Sequence, residues 1–397
     1  MNTIYILGEN SFIAKHVYIK IKQHQKYNII LLNHKNYVNV HKAQDTDIII
    51  NFCGVNRSLI ELEYQEGNHI FLQKILENLT NNPFFIHISS LMVYGFENKN
   101  LQELTDYQKW FIQSKLDGEL YLQNNYRSEK LCIIRPSNIY GYDCNPYYNN
   151  LLSSLVYEKI NDLKKITNIN INCIRNMLSV NNLANKLYEI IVNKINGIYN
   201  IISNNNSSLG TILNYIYDND IPNHIKLSEG DIDNIDMNKQ IVGNNIIIVE
   251  DLHSEIINLE KDMMQFLNLK NNVSIKQLSV FTQPRGNMIE ITDLQSKRLY
   301  KITLTQHSVR GNHYHYQQIE EFYTNKHKVV YIFCYSINLD VIFLHVSNEN
   351  ELIHVNPYII HTLSNDFIDN EPEIFVSSTQ EFIKESIPDT EYINIIY

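Results

Sequence analysis

Two histidines separated by one residue, His313 and His315, lie in the C-terminal part of the chain, and Glu320 and His361 follow them. Residues two apart on a β-strand point to the same face, so these two imidazoles converge. Glu320 can join them after a turn, and His361 lies on a later strand. Three imidazoles and one carboxylate suit Zn, Fe, Mn or Ni. We therefore predict a divalent metal site, with zinc as the first expectation; a histidine-rich surface is the alternative.

A second candidate site surrounds Lys115, which follows Phe111 by four residues in a stretch of helical periodicity. A Tyr at 111 would complete the Tyr-x-x-x-Lys dyad of a nicotinamide-dependent oxidoreductase, but Phe111 has no proton to donate. Tyr107 lies one helical turn earlier on the same face and is the candidate substitute. An ordinary half-buried aromatic role is the alternative for Tyr107, and we favour it.

A glycine turn connects the first apolar run to the first helical stretch, and it could bring backbone N–H groups to a pyrophosphate. Only Gly8 of a three-glycine fingerprint is present, and the small residues Ser11 and Ala14 hold the other places. After the second run, Lys35 would suit a 2′-phosphate, so we expect NADPH, with NADH as the other possibility. An ordinary turn and a solvated Lys are the alternatives. The predicted cofactor contacts here are Gly8, Ser11, Phe12, Ile13, His34 and Lys35.

Hydrophobic periodicity divides the chain into two classes of structure. Short β-branched runs alternate with amphipathic stretches up to about residue 190, which predicts an α/β doubly wound parallel sheet of Rossmann type. From about residue 275 short strands follow one another without helical periods, which predicts an all-β sandwich or small barrel. We assign residues 1–250 to the first domain, 251–274 to a junction helix and 275–397 to the second domain.

Composition excludes several classes of function. The chain has 397 residues, a net charge of −10 and no basic block, which disfavours nucleic acid and membrane as partners. Its five cysteines are scattered without a CxxC pair, as expected in a reducing compartment. No signal-peptide pattern and no apolar run of membrane-spanning length is present. We expect a cytoplasmic protein.

The N-terminal motifs resemble the extended short-chain dehydrogenase/reductase family. The segments that carry the resemblance are Ile88–Gly95, Arg135-Pro136-Ser137-Asn138-Ile139-Tyr140-Gly141 and Arg175–Leu183. The resemblance implies catalytic roles for Ser90 and Lys115, and substrate contacts from Arg135, Asn138 and Arg175. Phe111 departs from the family pattern, and so does Asn182, which replaces an Asp.

The C-terminal pattern HxH-x4-E…H-x3-N resembles the cupin superfamily, which implies a jelly-roll fold. The pattern runs from His313 to Asn365. Cupins usually carry Pro-x-Gly-x-x-His before the last histidine. Here Pro357-Tyr358-Ile359-Ile360-His361 is one residue shorter and lacks the Gly.

The combination of both domains resembles bifunctional capsule-type enzymes that act on UDP-2-acetamido-2,6-dideoxy-hexos-4-uloses. The distinctive fragments are Gly54-Val55-Asn56-Arg57, Gly67-Asn68, Cys144–Asn149, Arg310–His315 and Pro388–Tyr392. The resemblance implies C3 epimerisation followed by NADPH-dependent C4 reduction, which gives a UDP-N-acetyl-L-6-deoxyhexosamine of the L-RhaNAc or L-6dTalNAc type. It also implies a homodimer, a cofactor contact at Gly54, bases at His313 and His315, and substrate contacts at Asn56, Arg57, Tyr148, Asn149 and Arg310.

Three functional hypotheses remain. The first is the bifunctional 3-epimerase/4-reductase acting on a UDP-linked 4-keto-6-deoxy-HexNAc. The second is a 3-epimerase alone, with a reductase domain inactivated by Phe111 and retained for binding. The third is a non-catalytic assembly or binding protein. Ser90, Lys115 and Arg135 support the first hypothesis, and the histidine set opposes the third.

Overall fold

A computed structural model describes residues 1–94, 104–143, 151–229, 244–283, 286–289, 297–324, 326–336, 340–379 and 390–393. The chain divides into two compact units. One is formed by Asn2–Ile21 and Leu32–Met263, and the other by Met264–Tyr397 together with Met1 and Lys22–Leu31. None of the helices in these ranges combines the length and apolarity that a membrane crossing requires.

The N-terminal half contains short strands and most of the helices. The strands are β1 (Thr3–Leu7), β2 (Asn28–Leu32), β3 (Ile48–Asn51), β4 (Phe84–Ile88), β5 (Leu131–Pro136), β6 (Asn138–Tyr140), β7 (Asn168–Asn170), β8 (Ile174–Ser179), β9 (Gly197–Ser203), β10 (Asn206–Ser208), β11 (Lys226–Ser228) and β12 (Asn244–Ile248). The helices are α1 (Phe12–His24), α2 (Glu61–Gln65), α3 (Phe71–Glu77), α4 (Asp106–Asn125), α5 (Leu151–Asn161), α6 (Val180–Asn193), α7 (Leu209–Tyr217) and α8 (Leu252–Asn272).

Seven of these strands form one sheet in the order β12-β9-β5-β4-β3-β1-β2. Within this sheet, the pairs β1–β3, β3–β4, β4–β5, β5–β9 and β9–β12 are parallel. Strands β3 and β4 are buried at every residue, because in a parallel sheet covered by helices both faces lie in the core. This is the predicted doubly wound fold. Smaller sheets, β10-β8-β6 and β11-β7, stand beside it.

Helix α4 begins four residues earlier than the predicted Trp110, and a capping box gives the reason. Thr105 Oγ1 accepts a hydrogen bond from the Gln108 backbone N–H at 3.4 Å, and Gln108 Oε1 accepts one from the Thr105 N–H at 3.0 Å. These two bonds satisfy helix donors that would otherwise have no partner. Tyr107 therefore lies in the first turn of α4.

The C-terminal half is almost entirely β-structure. Its strands are β13 (Val273–Gln277), β14 (Val280–Gln283), β15 (Gly286–Ile289), β16 (Arg298–Thr303), β17 (Val309–His315), β18 (Glu320–Thr324), β19 (Val330–Cys334), β20 (Ile342–Val346), β21 (Glu351–Val355), β22 (Ile360–Ser364), β23 (Glu373–Ser378) and β24 (Thr390–Tyr392). Two antiparallel five-stranded sheets result, β13-β21-β18-β23-β16 and β20-β19-β22-β17-β24.

The two five-stranded sheets meet through their buried side chains. Phe322 on β18 contacts Tyr331 on β19, with ring centroids 5.9 Å apart, and His361 on β22, with centroids 5.5 Å apart. The β-rich second domain predicted from residue 275 onward is thus a sandwich. The residues assigned to the junction contain α8, which extends from Leu252 to Asn272. The domain boundaries at residues 250 and 274 stay predictions.

Candidate functional site

A cavity of about 550 Å³ opens at the carboxyl ends of β1, β2 and β3. Ligands of open α/β sheets bind at this edge. Gly8, directly after β1, has φ +94°, and a Cβ there would lie 3.1 Å from the Cys53 backbone N. Only glycine fits this close approach without strain. The lining residues are Gly8, Glu9, Asn10, Ser11, Asn33, His34, Phe52, Cys53, Gly54, Val55, Glu63, Glu66, Gly67 and Phe71.

The start of α1 fits an anionic group in this cavity. The Ser11 N–H donates to the Gly8 carbonyl at 2.8 Å, which closes the turn before the helix. The first turn of α1 contains no acidic residue. A helix N-terminus of this kind favours a phosphate group. Of the predicted contacts, Gly8 and Ser11 line the cavity, whereas Phe12 and Ile13 do not.

The end of β2 brings a second predicted segment to the same cavity. Asn33 and His34 line it, while the exposed Lys35 does not. The Lys35 backbone N–H donates to Asn33 Oδ1 at 2.8 Å, so the chain turns at this point. Lys35, which was predicted to bind a 2′-phosphate, is therefore not among the described residues that line the cavity.

Lys115 on α4 is buried next to the cavity, with 4% of its surface exposed. Its Nζ donates to the Ile88 carbonyl at 3.4 Å. Burial lowers the pKa of Lys115 to about 8, although the Glu119 carboxylate acts to raise it. A Cβ on Gly54 would lie 2.8 Å from Lys115 Nζ, so Gly54 leaves room for the ammonium group to reach the cavity wall.

Phe111 and Tyr107 occupy different surroundings on α4. The Phe111 ring lies edge-on to the buried Tyr64, with centroids 6.3 Å apart. Tyr107 is 47% exposed and packs edge-on against Trp110 at 5.6 Å. Tyr107 is therefore more exposed than the half-buried aromatic that the sequence favoured, and its role stays a prediction.

The two serines that follow β4 make different hydrogen bonds. The Ser90 hydroxyl is half-buried and accepts a hydrogen bond from the Met92 backbone N–H at 3.2 Å. Ser89 is buried, and its hydroxyl donates to the Glu119 carboxylate. Of the two serines, Ser89 is the one that contacts Glu119.

Arg135 belongs to an internal ion pair rather than to an open substrate surface. Its Nε donates to both carboxylate oxygens of Glu119 at 3.1 Å, and its Nη1 donates to the Tyr94 hydroxyl at 2.6 Å. The guanidinium carbon also lies 5.1 Å from the centroid of the Tyr94 ring. These partners engage part of the guanidinium, and the resemblance-based role of Arg135 in substrate binding stays a prediction.

The other predicted substrate contacts are dispersed. Asn56 and Arg57 are exposed after β3, and Arg310 is exposed on β17. Asn138 donates to the Asn176 carbonyl at 3.2 Å, and Arg175 donates to the Ile174 carbonyl at 2.9 Å. Tyr148 and Asn149 lie outside the described residues.

Asn68 has a connecting role that the sequence analysis did not assign. It lies in a single π-helical turn, Glu66–Ile70, and is 1% exposed. Its Oδ1 accepts from the Val55 N–H at 2.9 Å, and its Nδ2 donates to the Val55 carbonyl at 3.0 Å and to Ser114 Oγ at 3.0 Å. Asn68 thereby fixes the cavity wall to α4. Single π-turns are frequent at functional sites, but their hydrogen-bond pattern leaves no periodic signal in sequence.

The four predicted metal ligands form one cluster in the C-terminal sandwich. Their potential ligand atoms all lie within 4.8 Å of one another. Nε2 of His361 is 3.2 Å from Nε2 of His313 and 3.2 Å from Glu320 Oε2, and Nε2 of His315 is 3.3 Å from the same oxygen. Three nitrogens and one carboxylate in this arrangement fit a divalent metal of the zinc class.

Strand pairing brings the cluster together. His313 on β17 pairs with His361 on β22, next to an irregularity between Gly311 and His313. Gly311 has φ +92°, and a Cβ there would lie 2.5 Å from the His361 carbonyl oxygen. Glu320 is contributed by β18 of the other sheet. The site therefore lies between the two sheets.

The segment before His361 explains how the missing glycine is tolerated. Tyr358 adopts φ +63°, in the left-handed region that usually favours glycine. Its backbone N–H donates to the His315 carbonyl at 2.7 Å. Tyr358 itself is 60% exposed. Tyr358 thus makes the turn before His361, and its backbone N–H anchors this turn to β17.

Charge and burial prepare the cluster for a cation. Burial would raise the pKa of Glu320, but hydrogen bonds from His315 and His361 outweigh it and hold this pKa far below its usual range. Burial, together with the neighbouring His361 and His315, lowers the pKa of His313 to about 3, so this imidazole is neutral at pH 7. Neutral imidazoles and an ionised carboxylate are the protonation states that bind metal.

A surrounding layer orients three of the four ligands. The Tyr300 hydroxyl and the Gln318 amide donate to Glu320 Oε1 at 3.0 and 2.8 Å. Thr390 Oγ1 lies 3.0 Å from Nδ1 of His315, and the Ile359 carbonyl lies 3.0 Å from Nδ1 of His361. Such contacts to the far nitrogen or oxygen of a ligand are typical of metal sites.

Asn365, the last position of the cupin pattern, has a structural task. It is fully buried, and its Nδ2 donates to the Leu304 carbonyl at 3.1 Å and to the Asn370 carbonyl at 2.6 Å. Asn370 Nδ2 donates in return to Asn365 Oδ1 at 2.9 Å. Asn365 therefore holds two connections of the sandwich and does not join the cluster.

Several solved structures resemble the whole chain or its first part. The capsular polysaccharide assembling protein CapF from Staphylococcus aureus is 18% identical with a TM-score of 0.46, and all of each chain is covered. A candidate epimerase from Burkholderia cenocepacia is 14% identical with a TM-score of 0.52, over 66% of this chain and 98% of the other. UDP-N-acetylglucosamine 4-epimerase from Bacillus cereus is 14% identical with a TM-score of 0.49, over 66% and 97%. A comparison with curated proteins finds no match.

The Burkholderia likeness concerns the fold alone and agrees with the parallel sheet described above. The sequence comparison is more specific, because residues 4–201 match a family of enzymes defined by their cofactor and chemistry. This range contains the Gly8 turn, the cavity and Lys115. Residues 4–201, about half of the chain, match the NAD dependent epimerase/dehydratase family.

Proposed function

We propose that the protein modifies a nucleotide sugar in two steps, C3 epimerisation at the C-terminal cluster and C4 reduction at the N-terminal cavity. The proposed substrate is a UDP-linked 4-keto-6-deoxy-HexNAc. The family of residues 4–201 and the cavity at the Gly8 turn support the reductive half. A homodimer and a cytoplasmic location belong to the same proposal.

The cluster of His313, His315, Glu320 and His361 is the observation that carries the proposal. Three of these residues are buried, and His313 is half-buried, so a small polar molecule can approach from the His313 side. A divalent cation held by these four side chains would polarise a C4 carbonyl and acidify the C3 proton. The residues themselves bind and orient, since Glu320 is ionised and His313 neutral at pH 7.

Two roles were predicted from the sequence for His313 and His315, metal ligand and base, and one nitrogen atom cannot perform both at once. In both side chains Nε2 faces the cluster, as the contacts to His361 and Glu320 show. A nitrogen that coordinates a cation cannot also accept a proton. We therefore assign these imidazoles as ligands in the metal-loaded protein, where we propose that a solvent water molecule takes the C3 proton and returns one to the opposite face. The base role predicted for the two histidines applies only to the metal-free cluster.

For the reductive half, the chain supplies a cofactor pocket and a buried ammonium group. Gly8 and Ser11 would bind the pyrophosphate of a nicotinamide dinucleotide, and Lys115 would bind its ribose. When bound, this cofactor supplies the hydride. The Ser90 hydroxyl would hydrogen-bond the substrate oxygen, but no hydroxyl at position 111 delivers a proton to it. Loss of a general acid costs roughly 10²- to 10⁴-fold in rate, so we propose slow C4 reduction.

An epimerase without reductase activity is the second candidate, and the surroundings of α4 favour it. Phe111 carries no proton, and the exposed Tyr107 contacts Trp110 instead of the cavity. If solvent does not supply the proton, the N-terminal unit binds nucleotide without turnover.

A coupled assay separates these candidates. The purified protein is incubated with the UDP-linked 4-keto sugar and each reduced nicotinamide nucleotide, while absorbance at the nicotinamide band and sugar NMR are followed. The proposal predicts a C3-epimerised product and slow nicotinamide oxidation. Epimerised ketone without any oxidation supports the second candidate, and unchanged sugar refutes both.

A further inference from the structure

The N-terminal cavity contains a buried carboxylate at the place where dinucleotide pockets discriminate between cofactors. Glu9 directly follows the Gly8 turn, lines the cavity and is 3% exposed. The backbone N–H groups of Gly8 and Glu9 both donate to the Leu32 carbonyl, at 2.9 and 3.4 Å. These bonds fasten Glu9 to the end of β2, the strand end that lies beside the adenine ribose in this fold.

Asn33 orients the Glu9 side chain at that strand end. Asn33 Oδ1 accepts from the backbone N–H groups of Lys35 and Asn36, at 2.8 and 3.3 Å. Its amide nitrogen is therefore directed to Glu9, and Nδ2 donates to Glu9 Oε1 at 3.0 Å. A carboxylate thus lies one hydrogen bond from the first residue after β2, although the sequence has no acidic residue at the strand end itself.

The other charged side chains that line the cavity are acidic, and the ammonium group of Lys115 lies behind Gly54. Glu63 and Glu66 also line the cavity, and none of the described residues in its wall is Lys or Arg. A 2′-phosphate carries close to two negative charges at pH 7 and binds where Arg or Lys can pair with it. Against a buried carboxylate it would be repelled, and the low local dielectric strengthens this repulsion.

We propose that Glu9 makes this cavity selective for NAD(H) over NADP(H), by accepting a hydrogen bond from an unphosphorylated ribose and excluding the 2′-phosphate. The inference rests on the proposed binding of a nicotinamide dinucleotide and specifies which one. It replaces the sequence-based expectation of NADPH, which depended on Lys35. The carboxylate reaches the ribose from the β1–α1 turn instead of from the end of β2.

Calorimetric titration of the full chain with NADH and NADPH at equal ionic strength tests the inference. We expect the Kd for NADH to be at least about tenfold lower than that for NADPH. In Glu9→Gln, which keeps the shape of the side chain and its contact with Asn33, NADPH should bind more tightly and the preference should fall several-fold. Thermal unfolding of the variant verifies that it is folded.

Two control variants sharpen the result. Glu77→Gln removes an equal charge at the exposed end of α3, outside the cavity wall, and should leave the Kd ratio unchanged. Lys35→Ala should also leave it unchanged. Three results would overturn the inference while leaving the proposed function intact. The wild type could bind NADPH as tightly as NADH or more tightly, the Kd ratio could be unaltered in Glu9→Gln, or the Kd ratio could change in Lys35→Ala. Binding of neither nucleotide would refute the inference together with the reductive half of the proposed function.

Discussion

The ammonium nitrogen of Lys115 lies 6.0 Å from the centroid of the Phe111 ring, one helical turn apart on α4. An aromatic ring at this place attracts the ammonium group weakly but offers it no hydroxyl to activate. The arrangement retains the cation of a proton-transfer pair and lacks the proton donor. The reductase half of the proposed function depends on this relationship.

Restoring the hydroxyl should restore the proton donor. In Phe111→Tyr, the rate of C4 reduction should increase on the order of 10²-fold, because Lys115 would then lower the pKa of a tyrosine directed to the alkoxide. Epimerisation at C3 should not change, because it is assigned to the C-terminal cluster. Nicotinamide oxidation and sugar NMR measure the two steps separately.

Tyr107→Phe is the matched control for this substitution. Since Tyr107 is 47% exposed and packs on Trp110, removing its hydroxyl should leave both steps unchanged. If Phe111→Tyr has no effect and Tyr107→Phe abolishes reduction, then Tyr107 is the acid and our assignment of the site is wrong.

The buried ammonium group of Lys115 should decrease the stability of the protein at neutral pH. Its pKa is lowered to about 8 in the folded state, whereas an unfolded Lys titrates near 10.4. Between these values the unfolded chain binds more protons, so stability rises with pH in this window and is lost as pH falls through about 8. Lys115→Met should increase the free energy of unfolding at pH 7 on the order of 2 kcal/mol.

Urea unfolding at pH 7 and pH 10 measures this effect. The stability gained by Lys115→Met over wild type should be largest at pH 7 and nearly absent at pH 10. An equal gain at both pH values would mean that packing, not the buried charge, explains the difference.

The Arg135–Glu119 pair should stabilise the fold strongly. The two side chains are only 12% and 1% exposed. Glu119→Gln leaves a guanidinium buried without its counter-charge and should lower the free energy of unfolding by about 3–5 kcal/mol. Glu189→Gln, in the exposed pair with Lys186, is the control and should cost less than about 1 kcal/mol. Similar losses in both variants would show that the pair is not buried in solution.

The fold class could be predicted because periodicity reports burial directly. β-branched runs such as Ile48–Asn51 are buried at all positions, and the HxH spacing fixes which face its histidines share. The sequence pattern predicted His361 as the fourth ligand, but it did not show that the strand carrying His361, β22, pairs with β17. The pairing of β17 with β22 depends on Gly311, whose close approach to His361 is visible only in three dimensions.

The details of the N-terminal cavity were less predictable. The expectation that Lys35 contacts a cofactor followed from its distance along the chain, but the turn at Asn33 leaves it outside the described cavity wall. Arg135 was assigned to substrate because a motif contains it, whereas Glu119, sixteen residues earlier, binds it internally. Side-chain contacts between distant elements have no sequence signature, so neither this pair nor the contact of Asn68 with Ser114 was foreseen.

The C-terminal cluster should retain about one divalent metal ion per chain after purification. His361→Gln should decrease the metal content several-fold, because it removes the ligand that contacts both His313 and Glu320. His345→Gln is the matched control, since His345 pairs with Glu351 outside the cluster. Elemental analysis measures all three proteins. Wild-type protein without metal that does not take up added zinc would refute the site.

Deuterium exchange at C3 of the UDP-linked 4-keto sugar tests the central claim most directly. The full chain is incubated with this sugar in D₂O without any nicotinamide nucleotide, and NMR follows the C3 proton. We predict that deuterium replaces it, that chelation or His361→Gln slows exchange on the order of 10²-fold, and that His345→Gln exchanges at the wild-type rate. Absence of C3 deuterium, or exchange that persists undiminished after chelation and in His361→Gln, would contradict the assignment of epimerisation to this cluster.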